Sequence, residues 1–244
     1  MNVSFSRPFR TFLLLSLFGI AMGVLESIVV VYLRQIYYPG GFEFPLKALS
    51  PQMFLVEALR ETTTIVMLVI VGMLAGQNFL GKFSCLLFTF GVWDIFYYVA
   101  LKLVLDWPPS FLTWDVLFLI PLAWLAPVLA PIINSFTILL FAICLARFQH
   151  KGCMNRLKVS ELGLIFVGSF LIFCTYVWDA VAILIRGGFL SQIWTLAENE
   201  QLRQTIAQYR PTWFNWYLFG LGEILILASL ALVIRRVRIS SSVS

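Results

Sequence analysis

Apolar residues run along this chain in long blocks, broken by short charged or proline-rich stretches. A helix that crosses the hydrocarbon core of a bilayer needs about 20 consecutive, mostly apolar residues. Five blocks meet that length directly, at residues 11–33, 53–76, 83–104, 162–185 and 213–234. Residues 114–148 are harder to divide: at a rise of about 1.5 Å per residue they are too long for one crossing and too short for two. Pro121, Pro127 and Pro131 interrupt this stretch. Each proline removes an amide donor and clashes with the preceding helical turn. The pattern therefore predicts a Pro-broken re-entrant or interfacial piece from Trp114, followed by a true span over residues 121–147. The expected fold is an all-α polytopic membrane helix bundle, one domain over residues 1–244, with six transmembrane helices and seven as the alternative.

Composition agrees with this pattern. The chain is 61% hydrophobic and 12% charged, far from the roughly half-apolar, quarter-charged make-up of soluble domains. Its net charge of +5 does not point to nucleic acid, because the 17 Lys and Arg residues are scattered between apolar blocks. Their placement reads as a topology signal. With six spans and a cytoplasmic N-terminus, Arg7, Arg10, Lys82, Arg147, Lys151, Arg156, Lys158, Arg235, Arg236 and Arg238 fall inside. Only Arg34, Lys47, Arg186, Arg203 and Arg210 fall outside, with Lys102 near that edge. The positive-inside rule favours this orientation, with both termini cytoplasmic in the cell (inner) membrane, and disfavours a seventh span. The first apolar block is longer than a signal h-region, carries Glu26 and lacks a small-residue cleavage pattern, so it is expected to be retained.

The outer loops have character of their own. Tyr37, Tyr38, Phe42 and Phe44 surround a Pro39-Gly40-Gly41 turn and suit the headgroup layer. Residues 190–209 mix Ile193, Trp194, Leu202 and Ile206 with Glu198, Glu200 and Arg203, the pattern of an amphipathic helix lying on the outer surface. The tail from Ser240 to Ser244 is expected to be disordered.

The informative side chains are those that do not belong in lipid. Glu26, Glu57, Glu61, Asp94, Asp115, Asp179 and Glu223 fall within or at the outer mouth of the expected spans, with Arg60 and Lys102 at similar depth to offset them. A charge at the centre of a membrane helix costs about 2.5–3.5 kcal/mol even on the lenient insertion scale, so these groups are expected to share one acidic cavity that opens outward. Glu57, Arg60 and Glu61 are spaced to present two carboxylates with a guanidinium between them on one face, whose plain structural reading is an internal ion pair. Asp94 has Tyr97, Tyr98 and Lys102 on adjoining turns, and the bland alternative there is a hydroxyl and an amine satisfying one buried acid. Three acids follow a tryptophan, at Trp93-Asp94, Trp114-Asp115 and Trp178-Asp179. Trp114 and Trp178 read equally well as interface anchors, whereas Trp93 is too deep for that role. Aromatic faces beside carboxylates suit a cationic ligand or a carbocation-like transition state.

Several chemistries drop out. The sequence holds no HExxH, no Gly-rich phosphate loop, no G-x-S-x-G elbow and no closely spaced aspartates for a magnesium diphosphate. Cys85, Cys144, Cys153 and Cys174 have no C-x-x-C spacing and read as reduced small hydrophobes. His150 sits in a basic loop, where it reads as a solvated surface group. No cofactor and no resident metal are expected, although Glu, Asp and Asn134 leave oxygen ligation of a hard cation open. The Trp-acid-x-x-aromatic run from Trp93 to Tyr97 resembles, over its five residues, motifs in integral-membrane terpene cyclases.

Three function classes follow. The first is a membrane enzyme acting on a lipid or isoprenoid by carboxyl acid–base chemistry, with Asp94 and Glu223 as acid and base, Glu26 and Asp179 as supports, and Trp93, Tyr97, Tyr98, Glu57, Arg60, Glu61, Lys102, Asp115 and Trp178 around the substrate. The second is a proton- or cation-coupled transporter; the lack of an internal repeat and the small span count would demand a homo-oligomer. The third is a structural or assembly subunit whose acids pair with Arg60, Lys102 and partner helices. Expected partners are membrane lipid and a small hydrophobic or cationic ligand, with no nucleic acid. The enzyme reading leads because it gives the clustered aromatic rings and acids a use.

Overall fold

A computed structural model describes residues 7–47, 49–120, 122–152, 154, 156–189 and 200–242, and only the backbone at residues 7, 8, 200, 203, 207 and 240–242. Pro121, Cys153, Ile193, Trp194 and Glu198 lie outside the described residues, as does the Arg203 side chain. Seven helices and one β-hairpin follow in the order α1 (Arg7–Tyr37), α2 (Pro51–Ala75), α3 (Phe79–Leu105), β1 (Trp114–Phe118), β2 (Trp124–Pro127), α4 (Leu129–His150), α5 (Val159–Arg186), α6 (Glu200–Gln208) and α7 (Trp216–Ser242). The framework is helical, and α1, α3, α4, α5 and α7 are each long and apolar enough to cross a membrane. Their outward faces carry large bare side chains such as Leu14, Leu103, Phe136, Phe166 and Ile224. Such continuous apolar cover suits lipid and not water.

Local chemistry sets the helix starts. Ser50 caps α2, its hydroxyl accepting from the Met53 amide at 3.2 Å, with Pro51 in the first turn where its missing N–H costs nothing. Asn78 caps α3 by accepting from the Gly81 amide at 3.0 Å. Helix α3 ends at Asp106, which takes the left-handed conformation with φ 51°. α3 is the hub of the bundle: α1, α2 and α4 all pack on it, α7 packs on α4, and α5 packs on α7 and on β2. Close approach depends on glycine at two contacts. A Cβ at Gly23 of α1 would meet the Trp93 carbonyl of α3 at 2.7 Å, and Gly168 of α5 and Gly222 of α7 lie each against the other's carbonyl.

The proline-rich stretch departs from the sequence expectation. Trp114 to Pro127 forms an antiparallel hairpin, pairing Trp114 with Pro127 and Val116 with Leu125, and α4 begins at Leu129 and not at residue 121. The reason is a proline spacing that denies a helix its amide donors yet suits a short ladder: Pro127 closes β2, and Pro131 falls in the first turn of α4, where amides have no intrahelical acceptor. Buried backbone polar groups need partners inside the protein. The Val128 amide accordingly donates to the Thr113 carbonyl at 2.9 Å, and the Leu129 amide to the Phe111 carbonyl at 2.8 Å. At the other end of the chain, α7 continues as helix to Ser242, past the expected start of the tail. Within residues 190–209, α6 packs Leu202 and Ile206 against Leu184 and Phe189 at the end of α5. Cys85, Cys144 and Cys174 are free thiols.

Candidate functional site

The hairpin sits at the end of the bundle where α1, α3 and α5 finish and α2, α4 and α7 begin. Beneath it lies a cavity of about 100 Å³. Five helices and the hairpin contribute to its wall: Glu26 from α1; Arg60, Glu61 and Thr64 from α2; Trp93, Asp94, Tyr97 and Tyr98 from α3; Phe118 and Trp124 from the hairpin; Asn134 and Ser135 from α4; Tyr176 from α5. Glu26, Glu61, Asp94 and Tyr176 each lie about ten residues, or ~15 Å, from that end of their helix, so they meet at one depth.

One side of the cavity is an ionic network. Helices α1 and α2 both lean on α3 with little direct packing between them, and polar side chains bridge the gap. Arg60 bonds Glu26 through Nη1, donates to Glu57 at 3.0 Å through Nε, and lies 4.0 Å from Glu61. The Thr64 hydroxyl also donates to Glu26. Glu61 holds the hairpin, both of its oxygens accepting from the Leu119 amide at 3.0 and 2.9 Å. Three buried carboxylates thus share one guanidinium, which a strand tip and a threonine help to satisfy.

The other side is aromatic and sparsely bonded. Asp94 accepts from the Ser135 hydroxyl at 2.6 Å through Oδ2, and its Oδ1 takes no hydrogen bond among the described residues. Trp93 is buried, edge-on to Phe90 and tilted against Phe118; Trp124 stacks on Tyr176. The tyrosines expected to serve Asp94 are divided. Tyr97 lines the cavity, whereas the Tyr98 hydroxyl donates to Asp115 at 3.1 Å. Asp115 also pairs with Arg34 at 3.3 Å, and Arg34 is held between the rings of Trp107 and Phe42. This lock ties α1 to the hairpin.

Several expected site residues lie elsewhere. Lys102 pairs with Asp106 at 2.6 Å on the exposed end of α3, where its ammonium holds that carboxyl below its usual range. Asp179 takes a hydrogen bond from Tyr209, whose phenol is pushed up by burial and by that carboxylate, and neither lines the cavity. Trp178 is 54% exposed and Trp114 packs edge-on against Phe214. Glu223 is buried on α7 facing the Thr137 hydroxyl of α4, outside the cavity lining. The four acids proposed as catalytic are thus not one constellation: Glu26 and Asp94 share the cavity, while Asp179 and Glu223 point to separate neighbours. Among the described residues, no three His, Cys, Asp or Glu side chains gather into a metal-binding group.

Sequence reading passed over Thr64, Ser135, Trp124, Tyr176 and the Leu119 amide. Thr64 follows Arg60 by one helical turn and was within reach of the same spacing argument. Adjacent Asn134 and Ser135 are a polar pair in an otherwise apolar helix. Trp124 and Leu119 depend on the hairpin and had no local signal. No family model matches the chain, and neither a curated protein nor a solved structure matches it.

Proposed function

We propose that this multi-pass membrane protein is an enzyme of the cell membrane that acts on a lipid or isoprenoid, with Asp94 as its general acid. The observation that carries the reading is the contrast within one cavity: Glu26 and Glu61 are occupied by Arg60, Thr64 and the hairpin, while Asp94 holds a single hydrogen bond among the described residues and faces aromatic walls. In the proposed step a proton passes from the Asp94 carboxyl to the substrate. Positive charge then develops beside Trp93, Tyr97, Trp124 and Tyr176, whose faces stabilise it. The Ser135 hydroxyl hydrogen-bonds the carboxylate that remains, and loss of a proton from the product to Asp94 restores the acid. Glu26, Glu57 and Arg60 brace α1 against α2 and hold the wall in place.

Helix α2 is read as the sixth span, since Leu55, Leu59, Val66, Ile70 and Leu74 lie bare along its length while its acids turn inward. The excess of Arg and Lys at the opposite end of the bundle supports placing the cavity toward the extracytoplasmic side.

A general acid contributes about 10²–10⁴-fold to rate. A strain lacking the gene is expected to lose or accumulate a lipid species relative to its parent, wild-type protein to restore the profile, and Asp94→Asn to fail while still reaching the membrane. Unchanged lipids with altered ion sensitivity would favour a carrier, and restoration by Asp94→Asn would remove Asp94 from the chemistry.

A further inference from the structure

Two residues of the cavity wall carry a buried hydrogen-bond donor that has no partner among the described residues, Trp93 Nε1 and Trp124 Nε1, while the Tyr176 hydroxyl faces the Asn134 side chain. Trp93 is 6% exposed and the Trp124 nitrogen is likewise buried, so bulk water does not serve them. Buried polar groups are almost always satisfied, and an orphan group of this kind marks an absent water or ligand. Indole N–H groups can only donate. Whatever completes the site therefore brings acceptor atoms.

Charge narrows the class. Glu26, Glu61 and Asp94 line the same space, and Arg60 is already engaged by three carboxylates. A phosphate or carboxylate head would meet these acids with no free cation, so an anionic head group is disfavoured. An ammonium could satisfy the acids but would leave both indole donors unpaired. A neutral carbonyl oxygen fits both halves: its lone pairs accept from the donors, and it can take a proton from Asp94. A cavity of about 100 Å³ limits what enters it to a small head group.

From this geometry we infer that the cavity binds the neutral carbonyl head group of an apolar membrane molecule, a ketone or quinone type, with the Trp93 and Trp124 indoles as the donors that hold its oxygen. This rests on reading the cavity as a substrate site and names the chemical class that it takes.

The test uses the full chain purified in lipid nanodiscs and a short-tailed benzoquinone as probe, with binding read from quenching of tryptophan fluorescence and from the unfolding temperature. Saturable binding is expected for the quinone, and none for an alkyl phosphate or an alkane with the same tail. Trp93→Phe and Trp124→Phe keep a ring while removing the donor, and each is expected to weaken binding about 3- to 10-fold, the effect of one hydrogen bond. Because the tryptophan variants remove a fluorophore, their affinities are taken from the shift in unfolding temperature. Absence of saturable quinone binding, the outcome if ordered waters alone serve the donors, overturns the inference; so does binding that both variants leave unchanged. The two readings fail separately. Loss of quinone binding with an Asp94-dependent lipid profile removes the carbonyl class and keeps the enzyme, whereas quinone binding with an Asp94→Asn strain of normal lipid profile does the reverse.

Discussion

Two buried ion clusters in this protein use the same residue types to opposite effect. At the Arg-rich end, Glu161 of α5 meets Arg236 of α7: Nε and Nη2 donate to its two oxygens at 2.9 and 2.8 Å, and the Lys158 amide adds a third bond at 2.7 Å. At the hairpin end, Arg60 serves Glu26, Glu57 and Glu61 beside a cavity that also holds Asp94. The first cluster has matched charges and joins helices that already pack closely. The second has more acid than base and spans helices that scarcely touch. A matched pair can be replaced by apolar residues with little loss. An acid-rich cluster around a cavity has no such simple replacement, and that is the mark of a site.

Removing the arginines sharpens this contrast most. Each of Arg60→Leu and Arg236→Leu leaves buried acid uncompensated, which costs about 3–5 kcal/mol, or ~6–20 °C in unfolding temperature for a chain of this size. The double change Glu161→Leu with Arg236→Leu is expected to return close to wild-type stability in thermal unfolding. No single acid removal is expected to rescue Arg60→Leu, since two carboxylates would remain; full rescue by Glu26→Gln alone would make the hairpin-end cluster an ordinary pair.

Glycine changes probe the same two ends at the level of packing. Alanine at Gly168 would meet the Gly222 carbonyl at 2.6 Å, and alanine at Gly23 the Trp93 carbonyl at 2.7 Å. Both are expected to destabilise by about 1–3 kcal/mol through overpacking. Only Gly23→Ala should also disturb the lipid profile, because it pushes α1 from α3 beside Trp93 and Asp94. Equal functional loss from both would mean that the protein responds to stability alone.

The smallest effect is expected at Glu223. Both of its oxygens lack a regular hydrogen bond among the described residues, so Glu223→Gln should change stability by about 1 kcal/mol or less and leave the lipid profile intact. A large functional loss would return Glu223 to the chemistry and extend the site toward α7.

The sequence made the helical blocks legible because twenty apolar residues in a row have few other solutions. It also made Glu57, Arg60 and Glu61 legible as one face, since helical spacing is local. What it could not convey is which helices meet. Glu26 and Asp94 come together because Gly23 lets α1 settle on α3, and Glu223 stays apart because the Gly168 and Gly222 contact draws α7 to α5. Depth alone placed all of these acids in one layer; rotation about each helix axis, set by such contacts, decided which of them share a space. The hairpin was hidden for a different reason. Its prolines signalled a break in the helix, but the strand pairing that replaced it depends on partners in α2 and α5, so Trp124 and the Leu119 amide had no local signature.

The most direct test of a single reactive acid in this cavity is labelling of the purified, membrane-reconstituted protein with an apolar carbodiimide, which reacts with protonated carboxyls in apolar surroundings, followed by mass-spectrometric mapping. The label is expected on Asp94, with Glu26 and Glu61 protected by Arg60, Thr64 and the hairpin. Label on Glu26 or Glu61 with Asp94 left untouched would contradict it.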